Sequence, residues 1–389
     1  MLDSALDHAV SPDGGKRKAM NVERLYTIAK AIKQDLTHTN LKALMQQLIS
    51  ALQNQVNQPQ ATQHQQQVGQ TKTALLQALE KAPSNAFSPS WRQVVQEIGG
   101  HDLLGMVLYE TVNDIFLRNQ ITPSIALQEL QVISQRINAF QDAIDNLSTS
   151  LQKLQIKSEE LEHGACEIGI LIPRKFVDDR LDKFACELSN LEKLFGTFSE
   201  VATGERPGFH IKTLSSSDLT IYFDATLRTA AIVALGIERI VAAYKKLLDI
   251  RMLKNELAKK GLTAEELKGV ENHADTFMDK SIEDTVNYLM TEFYKNNDNG
   301  RKNELSIELR FCLKRIAGRI DRGFNIEVRA EPVRDNATSD GKQNNADKES
   351  IQRYYRQIAE AEETLDFIKL EGQPILKLPD SENKDPAPQ

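Results

Sequence analysis

The sequence contains few cysteines and no long apolar run. Its three cysteines, Cys166, Cys186 and Cys312, lie far apart and form no CxxC pair. A sparse, odd set of this kind is typical of buried reduced thiols and argues against a disulfide framework. The longest apolar run, residues 230–237, is far shorter than the ~20 residues of a membrane-spanning helix, and residues 1–11 lack the apolar segment of a secretory signal. We therefore expect a soluble, cytoplasmic protein without a membrane partner.

Motifs that carry chemistry are also absent. The sequence has no GxSxG elbow, no GxxxxGK[ST] phosphate loop and no HExxH helix. His163 and Cys166 stand three residues apart, but the second pair that a zinc site needs is missing. We therefore predict no catalytic residue, no cofactor and no metal ligand. An enzyme is the least favoured of three hypotheses, because residues 215–218, Asp224 and Arg329 would have to converge in one pocket.

The composition is that of an ordinary globular protein. Of 389 residues, 40% are hydrophobic and 26% are charged, a length at which about two or three domains are expected. The 48 basic and 55 acidic side chains give a net charge of −7. This balance argues against a protein that coats nucleic acid with its whole surface, although it leaves room for a local basic patch.

The most informative feature is a set of eight apolar residues on one unbroken heptad. Their alternating spacing of three and four predicts a narrow stripe along a helix, the pattern of lengthwise pairing with another helix. The sequence Thr122-Pro123-Ser124 predicts the start of this helix and Gly164 its end, which gives a length of about 60 Å at ~1.5 Å per residue. The pairing stripe consists of Leu130, Ile133, Ile137, Phe140, Ile144, Leu147, Leu151 and Leu154.

Changes in pattern along the chain predict seven segments. The folded part begins after a disordered tail, and its segments differ in hydrophobic period and in their content of Gly, Pro and Gln. The segments are a disordered tail at 1–20, an N-terminal helical region at 21–120 with a Gln-rich linker at 53–70, the heptad helix at 121–163, an α+β domain at 164–330 with helical arms at 225–322, a disordered linker at 331–349, a C-terminal helix and short strand at 350–378, and a disordered tail at 379–389.

Residues 166–330 carry the strands. Their patterns predict a strand, a helix, two strands, a helical hairpin and a last strand, in that order, which is the order of a ferredoxin-like split βαβ sheet. An antiparallel sheet with helices on one face would leave its other face free for a partner. The fold predicted is therefore α+β and predominantly helical, with long coiled-coil-like helices and a small antiparallel sheet that carries a helical-arm insertion.

Two basic helices suggest a second type of partner. The residues that would contact phosphate are Arg310, Lys314, Arg315, Arg319, Arg322, Lys245, Lys246 and Arg251. The helix between them is acidic, and the favoured interpretation is that it folds against its basic neighbours and neutralises them. The Lys/Arg-Gly-aromatic signature of an RNA-binding sheet is absent.

These patterns favour a non-enzymatic interaction or scaffold protein. We expect it to assemble through its long heptad helices, with itself as a homo-oligomer or with a partner protein, as a subunit of an intracellular multi-protein complex. The alternative is a nucleic-acid-associated protein that binds the phosphate backbone through basic helices 239–260 and 310–322.

Overall fold

The computed structural model describes residues 22–159, 161–215, 219–259, 264–296, 298–332, 345–365 and 376. This part of the chain is predominantly helical and carries a four-stranded antiparallel sheet, so the predicted α+β class is confirmed. The helices are α1 (Val22–His38), α2 (Leu41–Asn57), α3 (Thr62–Glu80), α4 (Pro89–Glu97), α5 (Gly105–Arg118), α6 (Pro123–Lys153), α7 (Leu181–Thr203), α8 (Leu227–Lys259), α9 (Ala264–Phe293), α10 (Asn299–Ile320) and α11 (Asn345–Thr364). The strands are β1 (Cys166–Ile172), β2 (Ile211–Ser215), β3 (Leu219–Ala225) and β4 (Asn325–Ala330).

Helices α1 to α6 share one apolar core. In α1, Ile28, Ile32 and Leu36 follow at intervals of four residues, which places them on one face of the helix, and all three are buried. Leu48 of α2 and Leu108 of α5 lie in the same core. Helix α6 packs against α1, α2 and α5, so the longest helix of this region is also the one that its neighbours share.

The Gln-rich stretch differs from the linker predicted over residues 53–70. Helix α2 continues to Asn57, and α3 begins at Thr62 after a short turn. Val68 and Leu75, one heptad apart on α3, are buried, whereas the glutamines of α3 up to residue 70 face solvent. The stretch is helical because α2 and α5 supply a surface for these apolar side chains, a tertiary contribution that local composition does not reveal.

Helix α6 is shorter than the helix predicted over residues 121–163. It ends one residue before Leu154, whose side chain is exposed, and Gln155 then takes a left-handed φ of 58°. The chain turns back onto α1, where the N–H of Glu159 donates to the carbonyl of Glu23 at 3.3 Å. The helix ends here because beyond this point the segment packs on α1 instead of continuing the apolar stripe.

The strand β1 is central in a sheet of order β2-β3-β1-β4, in which all neighbours are antiparallel. Its residues Ile168, Ile170 and Ile172 alternate onto one face and are buried. They belong to the same apolar core as Phe195 of α7 and Ile237 of α8. The helices of the second half of the chain therefore cover one face of the sheet.

Helix α11 packs on α8 and β4. Beyond it, the N–H of Leu376 donates to Asp321 Oδ2 at 2.7 Å, and the hydroxyl of Tyr244 donates to Oδ1 of the same carboxylate at 2.5 Å. The rest of the predicted short strand lies outside the described residues, as do the predicted disordered tails and most of the predicted linker at 331–349. No described helix combines the length and apolar character needed to cross a membrane.

Candidate functional site

The second face of the sheet is covered by the N-terminal helices and is not the free surface that the strand pattern predicted. Arg24 of α1 and Ser90 of α4 contact acidic side chains that point from this face. Glu167 of β1 and Glu327 of β4 are both buried. Charged side chains are rarely buried unless they are paired or hydrogen-bonded, so this junction between helices and sheet is a candidate site.

Glu327 is held by three hydrogen bonds. The hydroxyl of Tyr222 donates to its Oε1 at 2.9 Å, and Ser90 donates through Oγ to Oε1 at 2.7 Å and through its N–H to Oε2 at 3.1 Å. Burial raises the pKa of Tyr222, and the negative charge of Glu327 acts in the same direction. Tyr222 therefore stays protonated as a donor, and Glu327 links β3 to the start of α4.

Glu167 lies between two arginines. Its carboxylate is 3.1 Å from Arg329 of β4 and 4.0 Å from Arg24. Burial raises the pKa of Glu167, and the two guanidinium groups oppose this rise. The guanidinium of Arg24 also stacks over the ring of Tyr222, with its central carbon 3.6 Å from the ring centroid. The charges are thus distributed so that each buried group has an oppositely charged or polarisable neighbour.

Gly169 of β1 leaves the space that this network needs. It is paired in the sheet with Tyr222 on one side and with Glu327 on the other. A Cβ atom at this position would lie 2.4 Å from a carbon of the Tyr222 ring and 3.1 Å from the Glu327 side chain. A larger residue here would therefore displace both hydrogen-bonding partners.

A cleft of about 490 Å³ opens beside the network. Helix α1 contributes Lys30, β4 contributes Arg329, and α11 contributes Glu362, while Glu331 directly follows β4. The aromatic part of the wall is Trp91, which meets Phe87 edge to face with ring centroids 5.4 Å apart. The cleft joins elements from both halves of the chain and combines an apolar wall with charged groups, the general character of small-molecule sites.

Glu362 carries the largest shift of a carboxyl group at this site. Burial raises its pKa from 4.5 to about 8; Glu327 and Glu167 add to the rise, whereas Arg329 and Arg92 oppose it. The native state therefore retains a proton that the unfolded chain releases near pH 4.5. This contribution to stability is fully present below about pH 4.5 and is lost as the pH rises to about 8.

The variant Glu362→Gln should remove this pH dependence. We expect the free energy of unfolding of the wild type to fall more steeply between about pH 5 and pH 8 than that of the variant, whose amide does not titrate. Urea-induced unfolding at a series of pH values measures both slopes. Glu363→Gln is the matched control, because Glu363 is the next residue of α11 and is exposed. Equal slopes for all three proteins would contradict the assignment.

An apolar groove of about 340 Å³ lies on the other face of the sheet, between α7 and the β2–β3 hairpin. Leu188 and Phe195 of α7 form one wall. Phe209, Ile211 and Phe223 form the other, with the rings of Phe209 and Phe223 5.0 Å apart. From β2, Ile211 lines the groove, and its side chain is exposed.

A β-bulge in β2 enlarges the apolar surface beside the groove. Ile211 pairs with Phe223 and Leu214 pairs with Ile221, while the register shifts at Lys212. Because cross-strand partners share a face, the shift places Ile211 and Leu214 on the same face, where they are 61% and 54% exposed. The hydrophobic pattern did not indicate that these two residues are exposed. The break in period-two spacing between residues 211 and 214 was the signal that could have revealed the bulge.

The predicted pairing stripe of α6 faces the other N-terminal helices. Leu130, Ile137, Phe140, Ile144 and Leu151 are buried. The stripe members at 133 and 147 are partly buried against the same core, and the last, at 154, lies exposed beyond the helix end. The lengthwise neighbours of this stripe are α1 and α2 of the same chain.

The predicted phosphate-contacting residues of α10 mostly face acidic groups. Lys314 lies 2.7 Å from Asp279 of α9, and Arg310 pairs with Glu283 of the same helix. Arg319 is buried against a carboxylate of α7. The sequence pattern favoured this pairing of an acidic helix, α9, with its basic neighbour α10. The pairing neutralises side chains that would otherwise contact phosphate.

The other predicted phosphate contacts lie on α10, just after its end and on α8. Arg322 donates to the carbonyl of Gly318 at 3.4 Å, and Lys245 of α8 donates to that of Thr364 at 3.3 Å. Arg315 of α10 and Lys246 of α8 are exposed. The side chain of Arg251 lies outside the part of the chain that the structure describes.

The groups considered for metal binding do not form a site in the described part of the chain, whereas two of those considered for catalysis, Asp224 and Arg329, lie on either side of Glu167 in the sheet. His163 lies 3.4 Å from Glu331, whereas Cys166 is buried in the sheet, and burial raises the pKa of its thiol to about 12. Among the described residues, no three His, Cys, Asp or Glu side chains are placed to hold a metal ion. Asp224 pairs with His210 at 3.2 Å, and the loop at 216–218 lies outside the described residues.

Comparison with known proteins gives no further guide to the site. No protein-family model, no curated protein and no solved structure matches this chain.

Proposed function

We propose that this chain is a non-enzymatic interaction protein that assembles with a second copy of itself through the β2 edge of its sheet. The observation that carries the proposal is the exposed apolar pair Ile211 and Leu214 on an edge strand beside an apolar groove. Edge strands present unpaired backbone donors and acceptors, and exposed apolar residues on such an edge promote pairing with another strand.

The β2 edge is self-complementary. In an antiparallel pairing of two β2 strands, Ile211 of one copy can lie opposite Leu214 of the other, because the bulge holds both residues on one face. The same two-fold operation repeats the contact, as an isologous dimer requires. Lys212 would face Thr213 of the second copy, so no like charges oppose each other.

Two features of the fold agree with an assembly through the sheet. The strand order β2-β3-β1-β4 supports the interpretation as a ferredoxin-like split βαβ unit, in which β2 is one of the two outer strands. Helix α6 packs against helices of its own chain, so the heptad stripe serves internal packing in this proposal. The role of scaffold then belongs to the sheet edge instead of the long helix.

Replacing both edge residues by lysine should separate the copies. We expect the wild type to be a dimer by light scattering at micromolar concentration, and Ile211→Lys with Leu214→Lys to be a monomer, because lysines on an edge strand oppose pairing. The thermal midpoint of the monomeric unit should change little, since both side chains are exposed.

Leu117→Lys is the matched control. Leu117 is 56% exposed and belongs to α5, a helix that is not part of the sheet. Its substitution should leave the dimer intact. A wild type that remains monomeric across the concentration series would overturn the proposal, as would a control that dissociates like the edge variant.

A further inference from the structure

The apolar groove between α7 and the β2–β3 hairpin has the volume of a small-molecule site. Its volume of about 340 Å³ lies within the ~300–1,000 Å³ typical of such sites. Ile170 of β1 and Ile221 of β3 line it, and these two buried residues are partners in the sheet. Because paired strands hold this part of the lining in place, the groove is formed before a ligand arrives.

Three phenylalanine rings follow one another along the groove. The ring centroids of Phe195 and Phe223 are 5.4 Å apart, and those of Phe209 and Phe223 are 5.0 Å apart. The planes in these two pairs are inclined by 60° and 62°, so the rings meet at steep angles and do not stack face to face. Aromatic side chains bind a further ring by edge-to-face or offset contact. The lining therefore favours a planar aromatic group.

The groove is unfavourable for a negative charge. Eight of its ten lining residues are apolar, and the other two, Ser189 and Glu192, are exposed on α7. Burying a carboxylate or phosphate among apolar side chains costs free energy, and none of the described lining residues is basic to offset this cost. The carboxylate of Glu192 would also repel an anion. In contrast, Ser189 and Glu192 can each accept a hydrogen bond from a hydroxyl group.

We propose that this groove binds an uncharged aromatic alcohol. Its ring contacts the three phenylalanines, and its hydroxyl group lies at the rim formed by Ser189 and Glu192. The proposal goes beyond assembly through β2, and neither proposal requires the other. Ile211 is the residue that they share, since it lines the groove and is exposed at the sheet edge.

Three molecules with the same two-ring skeleton separate the role of aromaticity from the role of charge. They are naphthol, its saturated counterpart decalol, and naphthoate, each with its polar group at the same ring position. We expect naphthol to bind in a saturable way at neutral pH. Decalol should bind about two- to tenfold more weakly, the loss expected for one aromatic contact. Naphthoate should bind at least about tenfold more weakly, because its carboxylate must leave water. Isothermal titration calorimetry measures all three affinities.

Phe209→Leu tests whether the groove is the site of binding. The variant keeps an apolar side chain but loses one ring, so its affinity for naphthol should fall about two- to tenfold while its affinity for decalol stays unchanged. Phe311→Leu is the matched control, because Phe311 is 62% exposed on α10 and does not line the groove. Thermal unfolding verifies that both variants are folded.

Light scattering on the same samples separates this proposal from the assembly proposal. A monomeric wild type that binds naphthol supports the ligand site, whereas a dimeric wild type that does not bind naphthol overturns the ligand site alone. The ligand site is also overturned if decalol or naphthoate binds as tightly as naphthol. The same holds if Phe311→Leu weakens naphthol binding as much as Phe209→Leu, since binding would then not depend on the groove.

Discussion

Ile137→Asp combined with Ile144→Asp is expected to unfold the N-terminal helical region. The two side chains are 1% and 4% exposed on the face of α6 that packs against α1 and α2. Truncating a buried isoleucine costs ~2–5 kcal/mol, and a carboxylate adds the cost of removing a charge from water. Two such losses approach or exceed the ~5–15 kcal/mol by which a domain is usually stable. Circular dichroism during heating and urea unfolding measure the loss.

Gln135→Glu provides the control for this experiment. Gln135 lies on the same helix but is exposed, so its substitution should change the free energy of unfolding by no more than ~0.5 kcal/mol. Because the stripe packs within one chain, the loss of stability should not depend on protein concentration. The packing of α6 on α1 and α2 is contradicted if the double variant melts at the same temperature as the control. It is also contradicted if the double variant is less stable than the control only at low protein concentration.

Arg319→Leu is expected to cost ~3–5 kcal/mol. Nε and Nη2 of Arg319 donate to the two carboxylate oxygens of Glu187 at 2.5 and 2.9 Å, and both side chains are buried. Removing the arginine leaves a buried carboxylate without its bidentate partner. Urea unfolding of the purified variant measures the change.

An exposed pair provides the comparison. Arg180 lies 2.7 Å from Asp182, with both side chains in solvent, and Arg180→Leu should cost far less stability than Arg319→Leu. The double variant Glu187→Leu with Arg319→Leu should recover part of the stability, because it removes the unpaired charge as well. Equal losses for Arg319→Leu and Arg180→Leu would show that the Glu187 pair is solvated.

The sequence identified several groups as functional that the structure uses for packing or neutralisation. Arg319 was predicted to contact phosphate, since it shares a helical face with Arg315 and Arg322, yet it is buried against α7. Spacing along a helix shows which side chains share a face. It does not show which element packs on that face, because the packing partner is more than 100 residues away in the chain.

The cleft and the edge groove also lay beyond what sequence patterns show. Trp91, Arg329 and Glu362 are distant in sequence and meet only when the N-terminal helices cover the sheet. The strand pattern predicts that one face of the sheet is polar, and Glu167 and Glu327 fit that pattern. Polar side chains can face solvent or form a buried network, so the pattern does not show whether this face is covered. Burial of this face was decided by the docking of α1 and α4.

Local patterns by themselves determined the fold class and the alternation of helices and strands. Hydrophobic period depends only on neighbouring residues, so the four strands and the long helices between them were recognisable from residues such as Ile168, Ile170 and Ile172. Tertiary structure alone decided which helices pack on the α6 stripe, which basic side chains form ion pairs and which face of the sheet is covered. It also decided that Ile211 and Leu214 share an exposed face, since a bulge depends on the register with β3. The physical reason is the same in each case. A local pattern shows whether one face of a helix or strand is polar or apolar, whereas contacts between distant parts of the chain determine which element packs on that face.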